Sequence, residues 1–148
     1  MENQIQKIKR FNRFYLNVVG LYTQYTDGSP YSMSEAMILF EINEQDKCTA
    51  SELSEFFEFD KGYVSRIINK LNNRGLIRRV SSENDKRKKY LHITNEGENV
   101  LKELSNKASD NVRRMIEKVN NDELDSLIKS MEDIERILSL TKGGKSNV

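Results

Sequence analysis

A chain of 148 residues with 36% hydrophobic side chains can bury one modest core, which predicts a single domain over 1–148. Charged residues make up 32% of it and mean hydropathy is -0.71, a balance that excludes a membrane span. The net charge of +1 does not by itself point to nucleic acid, and the lone Cys48, without a second cysteine or a histidine cluster, excludes an internal disulfide and offers no metal-binding set.

The start, MENQIQKIKRFNRFYLNVVG, has no uninterrupted apolar core and no small-residue cleavage site, so a cytoplasmic protein is expected. Ile5, Ile8, Phe11, Tyr15, Val18 and Tyr22 recur at steps of three or four, predicting an amphipathic helix over about residues 4–25 that TDGSP ends through Gly28 and Pro30. Ser32 or Ser34 can cap a second helix through Ala36, Met37, Ile38, Phe40 and Ile42. Thr49 followed by Glu52 has capping-box spacing and opens a third helix that buries Leu53, Phe56 and Phe57.

Asp60 caps a fourth helix with two faces. Val64, Ile67, Ile68 and Leu71 share one of them, while Gly62, Tyr63, Ser65, Arg66, Asn69, Lys70 and Asn73 point the other way, and Gly75 stops the helix in a left-handed conformation. LIRRV and KKYLHIT flank the polar SSENDKR, which predicts a two-stranded hairpin with a charged tip. Thr94 opens a fifth helix striped by Val100, Leu101, Leu104, Ala108, Val112, Met115, Ile116 and Val119. Asn120 with Glu123 caps a sixth, whose Leu124, Leu127, Met131, Ile134 and Leu138 form a seam that needs a helical partner; TKGGKSNV then frays. The fold class is mainly α with a small two- or three-stranded β-wing, a winged helix-turn-helix.

Charge is segregated along this order. From 61 to 89 the cations are Lys61, Arg66, Lys70, Arg74, Arg78, Arg79, Lys86, Arg87, Lys88 and Lys89 against Glu83 and Asp85, a local excess of about +8, and an acidic stretch precedes them. DNA binding requires cations for phosphates, side chains that reach base edges and a rigid carrier, and this segment provides all three. Arg66 can bridge guanine acceptors, Asn69 can pair with adenine, Ser65 can contact a base or a phosphate, and Lys61 and Tyr63 lie at the helix start that enters the groove. Lys70, Arg78 and Arg79 suit phosphates. Arg87 suits a narrow minor groove, with Lys86, Lys88 and Lys89 adding sequence-independent attraction.

TASELSEFFEFDKGYVSRIINKLNNRGLI, followed by NDKR and LHITNEG, resembles the helix-turn-helix and wing of the multiple-antibiotic-resistance regulators, the MarR family, including an Asp-x-Arg element at Asp85 and Arg87. Stretches RFNRFY at Arg10–Tyr15, GSPYSMSEA at Gly28–Ala36 and FDKGYVSRI at Phe59–Ile67 are similar to the regulator half of proteins that fuse this module to a GNAT acetyltransferase, and without a glycine-rich acetyl-coenzyme A loop no transferase activity is expected. The resemblance implies a DNA-binding lobe over about 32–97, dimerisation helices over 1–26 and 95–141, and a homodimer on a pseudopalindromic operator in double-stranded DNA. It further implies Lys61–Asn73 in the major groove, Arg87 in the minor groove, and Asp85 holding that arginine in position. Repression relieved by a small aromatic effector is also implied, with Arg13, Tyr15, Tyr22, Tyr25 and Met37 as candidate lining residues.

No catalytic constellation appears, since His92 falls in a wing strand without a nucleophile or carboxylate partner, and neither a P-loop nor a dinucleotide fingerprint is present, so no cofactor is expected. Three other readings stay open, one of them a detached acetyltransferase partner, which would have to bind acetyl-coenzyme A. A winged module that binds protein rather than DNA, as an antirepressor does, would not need cations aligned on the exposed helix face. A thiol sensor at Cys48 would place its cysteine in the turn before the third helix, not in the first helix where the peroxide-sensing branch keeps it.

Overall fold

The order of elements is α1 (Glu2–Val19), α2 (Met33–Glu44), α3 (Ala50–Phe57), α4 (Lys61–Asn73), β1 (Ile77–Ser81), β2 (Lys89–Ile93), α5 (Asn95–Ile116) and α6 (Asn121–Ser139). This computed structural model describes residues 1–19 and 29–140. Tyr22, Tyr25, the breaker Gly28 and the carboxy-terminal TKGGKSNV lie outside the described residues. The chain divides into two compact units, Met1–Asn111 and Val112–Val148.

Helix boundaries follow the capping chemistry. Ser32, not Ser34, caps α2: its hydroxyl accepts from the Glu35 amide at 3.2 Å and the Glu35 carboxylate accepts from the Ser32 amide at 3.2 Å. Thr49 and Glu52 form the same reciprocal pair at 3.2 and 3.1 Å, so the N-terminal amides of α3 are satisfied. At the end of α4 the Gly75 amide donates to Asn72 O at 3.0 Å and the Leu76 amide to Leu71 O at 3.0 Å, with Gly75 at φ 73°. That is a Schellman closure, fastened by burial of both Leu71 and Leu76.

The antiparallel pair β1–β2 runs from Ile77 opposite Ile93 to Ser81 opposite Lys89, and a single bridge joins Cys48 to Leu91. Ile77 and Leu91 reach the core, Leu91 beside its bridge partner Cys48, while Arg78 and Arg79 stay exposed. They join Ile38, Leu39, Ile42, Cys48, Leu53, Val64, Ile67, Ile68, Leu71 and Leu76 in one buried cluster. Thr94 ties the end of the wing to the end of α4, its hydroxyl donating to Gly75 O at 2.6 Å while accepting from the Gly97 amide at 3.1 Å. A Cβ on Gly97 would lie 2.2 Å from Leu76 O, so only glycine allows this approach.

Neither α1 nor α6 contains a buried residue. In α6 Arg136 pairs with Asp133 at 3.1 Å, and Lys129 lies 3.5 Å from the same carboxylate. The hydrogen bond from Arg136, helped by Lys129, holds Asp133 below the usual carboxylate range. Among the described residues no helix is long and apolar enough to cross a membrane, and no group of three or more His, Cys, Asp or Glu side chains could hold a metal ion.

Candidate nucleic-acid interface

Asp60 opens α4 by accepting from the Tyr63 amide at 3.1 Å. Val64, Ile67, Ile68 and Leu71 then face the core, which turns Lys61, Ser65, Arg66, Asn69 and Lys70 outward, all of them exposed. Tyr63 departs from the outward set expected of it. Its ring packs edge-on against Phe59 at 5.5 Å and against the buried cluster, so it is half-buried. The reason is aromatic continuity, since Phe59 stacks in turn on Phe57 at 5.3 Å. Tyr63 still borders the outward face through Arg66, whose guanidinium lies 5.9 Å from its ring centre.

The wing tip is shaped by Asp85. Its carboxylate accepts from the Arg87 amide at 3.0 Å, its carbonyl accepts from the Lys88 amide at 3.0 Å, and the Ser82 amide donates to Lys88 O at 2.9 Å. Asp85 therefore holds Arg87 through the backbone, by an Asx turn, rather than through an ion pair with its guanidinium. Lys86, Arg87, Lys88 and Lys89 are all exposed. Lys88 lies 5.4 Å from the Tyr90 ring centre and Lys47 5.9 Å from it, so the wing gains a cation from the segment before α3. Sequence reading missed Lys47 because nothing local in the chain announces the Cys48–Leu91 bridge that carries it there.

Helix and wing meet around one cleft of about 650 Å³, lined by Ser65, Arg79, Asp85, Arg87, Lys88 and Lys89, with Glu52 and Glu55 of α3 also on its wall. Three expected contact residues have protein partners. Lys70 Nζ lies 2.5 Å from Glu35 Oε1, and Arg79 donates to Asn69 Oδ1. Arg78 and Lys61 are exposed, and neither forms an ion pair among the described residues.

A separate apolar cavity of about 490 Å³ opens between α2, α3 and the first turns of α5, lined by Met33, Met37, Phe40, Phe56, Phe57 and Leu101 among others. Of the candidate effector residues that are described, Met37 lines it and Arg13 and Tyr15 do not. Arg13 and Tyr15 lie on α1, where Tyr15 stacks on Phe11 at 5.7 Å, and Tyr22 and Tyr25 are outside the described residues.

Cys48 is buried, and its thiol contacts Thr49 O at 3.7 Å. Burial, reinforced by Glu52 and Glu41, pushes the thiol up to about 12, which suppresses the thiolate that a sensor needs. His92 sits opposite Arg78 in the wing, half-buried.

A family model described as MarR family matches residues 31–89. The transcriptional regulator MgrA of Staphylococcus aureus is 32% identical over 104 residues, covering 70% of this chain and 66% of its own. Among solved structures, a MarR family protein from Bacillus stearothermophilus superposes with TM-score 0.81 at 15% identity, over 94% of this chain and 98% of that one. Streptococcus pneumoniae FabT, solved in complex with DNA, superposes with TM-score 0.74 at 23% identity, over 91% of this chain and 97% of that one. The chain belongs to the MarR family, whose members are transcription regulators and not enzymes.

Proposed function

We propose that this chain is a homodimeric, operator-specific repressor that binds one half-site of double-stranded DNA per subunit. The observation that carries the reading is the cleft shared by α4 and the wing, around which Ser65, Arg79, Arg87, Lys88 and Lys89 converge. In this reading α4 enters the major groove by its amino-terminal half, with Lys61, Ser65 and Arg66 at the bases and Tyr63 supporting Arg66. Arg87 enters the minor groove, while Arg78, Lys86, Lys88 and Lys89 take phosphates. Exposed apolar side chains on α1 and α6 support pairing with a second copy, which would set half-site centres about 34 Å apart. The apolar cavity beside Met37 has the size of a small-molecule site and supports relief of repression by a small aromatic compound.

A gel-shift titration in salt tests the DNA reading. Six phosphate contacts would lower affinity by roughly a thousandfold or more between 50 and 200 mM salt. A nearly flat dependence would overturn it and favour a module that binds protein instead.

A further inference from the structure

The outward face of α4 carries polar side chains along its whole length, yet those of its carboxy-terminal half have work inside the protein. Glu35 is the centre of one connection. Its side chain is only 8% exposed, Oε2 accepts from the Ser32 amide at 3.2 Å, and Oε1 receives Lys70 Nζ at 2.5 Å. A buried carboxylate stripped of its cation is strongly unfavourable, so Lys70 cannot turn to a phosphate without leaving that charge unbalanced. One turn further on, Arg74 Nη1 donates to Pro30 O at 3.3 Å and its guanidinium lies 5.0 Å from the Tyr31 ring centre. The segment from Pro30 to Glu35 thus straps the last two turns of α4 by an ion pair, a hydrogen bond and a cation–π contact.

The opposite connection comes from the wing, where Arg79 of β1 donates to Asn69 Oδ1. A guanidinium has donors only, so this contact dictates which way the amide is turned: oxygen toward β1. Reading adenine requires the same oxygen to accept from the base while the NH2 donates. One of the two lone pairs of that oxygen is taken by Arg79, so the direction of the amide is set by β1 and not by a base.

We propose that Asn69 and Lys70 are anchors and not DNA contacts, that base reading by α4 ends at Arg66, and that Glu35 and Arg79 are positioning residues that set the pose of α4 from its two flanks. This rests on the DNA-binding reading above and divides its residues into readers and holders. It accords with helix-turn-helix geometry, in which the amino-terminal residues of the recognition helix meet the base edges.

The test uses the full chain, selection of bound fragments from random DNA, and salt titration of R66A, N69A, R79M, K70M, E35Q and K88M. R66A is expected to relax preference at one base position per half-site, whereas N69A leaves the preference profile unchanged. K88M should lower the slope of log affinity against log salt by about 0.9 per subunit, whereas K70M leaves it unchanged. Loss of an anchor weakens operator binding by about tenfold, and the doubles N69A/R79M and E35Q/K70M do no more than the worse single of each pair. E35Q keeps an acceptor for the Ser32 amide, since glutamine also completes a capping box, and N69A and R79M alter exposed side chains, so folding is preserved. K70M alone leaves the Glu35 charge unbalanced, so its salt slope is read also in E35Q/K70M, which removes both charges. Lost preference at one base pair in N69A, a slope reduced by about 0.9 in K70M, or additive doubles would overturn the proposal. A flat salt dependence of the unaltered protein would instead remove the DNA-binding reading on which it stands.

Discussion

Between Ile38 and Leu91 twelve apolar side chains pack into one buried cluster, whereas α1 and α6 bury none. Both regions contain helices with apolar stripes, so the difference is not one of local pattern. In the lobe, stripes of α2, α3 and α4 face one another and the sheet, and each covers the others. Along α1, Ile8 and Phe14 remain 60% and 62% exposed, and in α6 Ile137 is 53% exposed. A run of large apolar side chains left open along one helix marks an interaction surface rather than scattered exposure. The lobe encloses a core of its own, while α1 and α6 leave large apolar side chains open to solvent, as the proposed pairing with a second copy requires.

Placing charge on the open stripe gives the largest expected break of that contrast. Ile8→Glu combined with Phe11→Glu should convert the proposed dimer to monomer in sedimentation. Operator affinity should fall by about a thousandfold, because the second half-site no longer binds at high effective concentration. The lobe should still unfold cooperatively, since neither residue belongs to its core. A variant that stays dimeric would remove α1 from the interface.

The next effect lies inside the lobe. Gly97→Ala would place a Cβ 2.2 Å from Leu76 O, backbone that cannot swing away, and should cost about 3 kcal/mol in denaturant unfolding. A loss under about 1 kcal/mol would mean that the start of α5 shifts to make room. Smaller again, and confined to function, Arg87→Ala should weaken operator binding by about 2 kcal/mol without lowering the unfolding midpoint, because the side chain is exposed. Unchanged affinity would take the wing out of recognition. Thr49→Ala removes the acceptor for the Glu52 amide and should cost about 1 kcal/mol in thermal unfolding, with no change in DNA affinity per folded molecule.

Legibility in the sequence follows the range of the interactions involved. Caps at Thr49, Asp60 and Asn120, the left-handed stop at Gly75 and the hairpin from Ile77 to Ile93 depend on residues within a few positions of one another, or on alternation along a strand, and all could be read locally. The faces of α4 followed from its 3.6-residue period. What could not be read came from distant partners. Glu35 meets Lys70 across 35 positions and Arg74 reaches Pro30 across 44, and no periodicity encodes either. Tyr63 was misplaced for a related reason: its position in the helical period is outward, but the Phe57–Phe59 ladder draws its ring inward. In α6 Arg136 at i+4 suggests Glu132 as partner, yet the side chain takes Asp133 at i+3, because both spacings lie on the same helix face.

The smallest expected effect tests how tightly the self-sufficient lobe is closed. Cys48 is buried where the segment before α3 bridges to the wing, and its thiol is pushed from 9.0 up to about 12, chiefly by burial, then by Glu52 and Glu41. In the unfolded chain the thiol loses its proton near its ordinary value, whereas in the folded chain it keeps it to about 12. Between those limits the unfolded state holds fewer protons, so this group's contribution to stability is fully present below the unfolded value and is lost as pH rises through the folded one. Cys48→Val removes the titration while keeping an apolar side chain there, so its stability should fall less steeply than that of the parent over that alkaline window. The difference between the two slopes isolates the thiol from the tyrosines and lysines that titrate in both proteins. Alkylation of the native parent near pH 8 should be slow for the same reason, since the thiolate is the reactive form. Parallel stability curves together with rapid alkylation would show that the bridge region opens readily, and that the lobe is less closed than its buried cluster indicates.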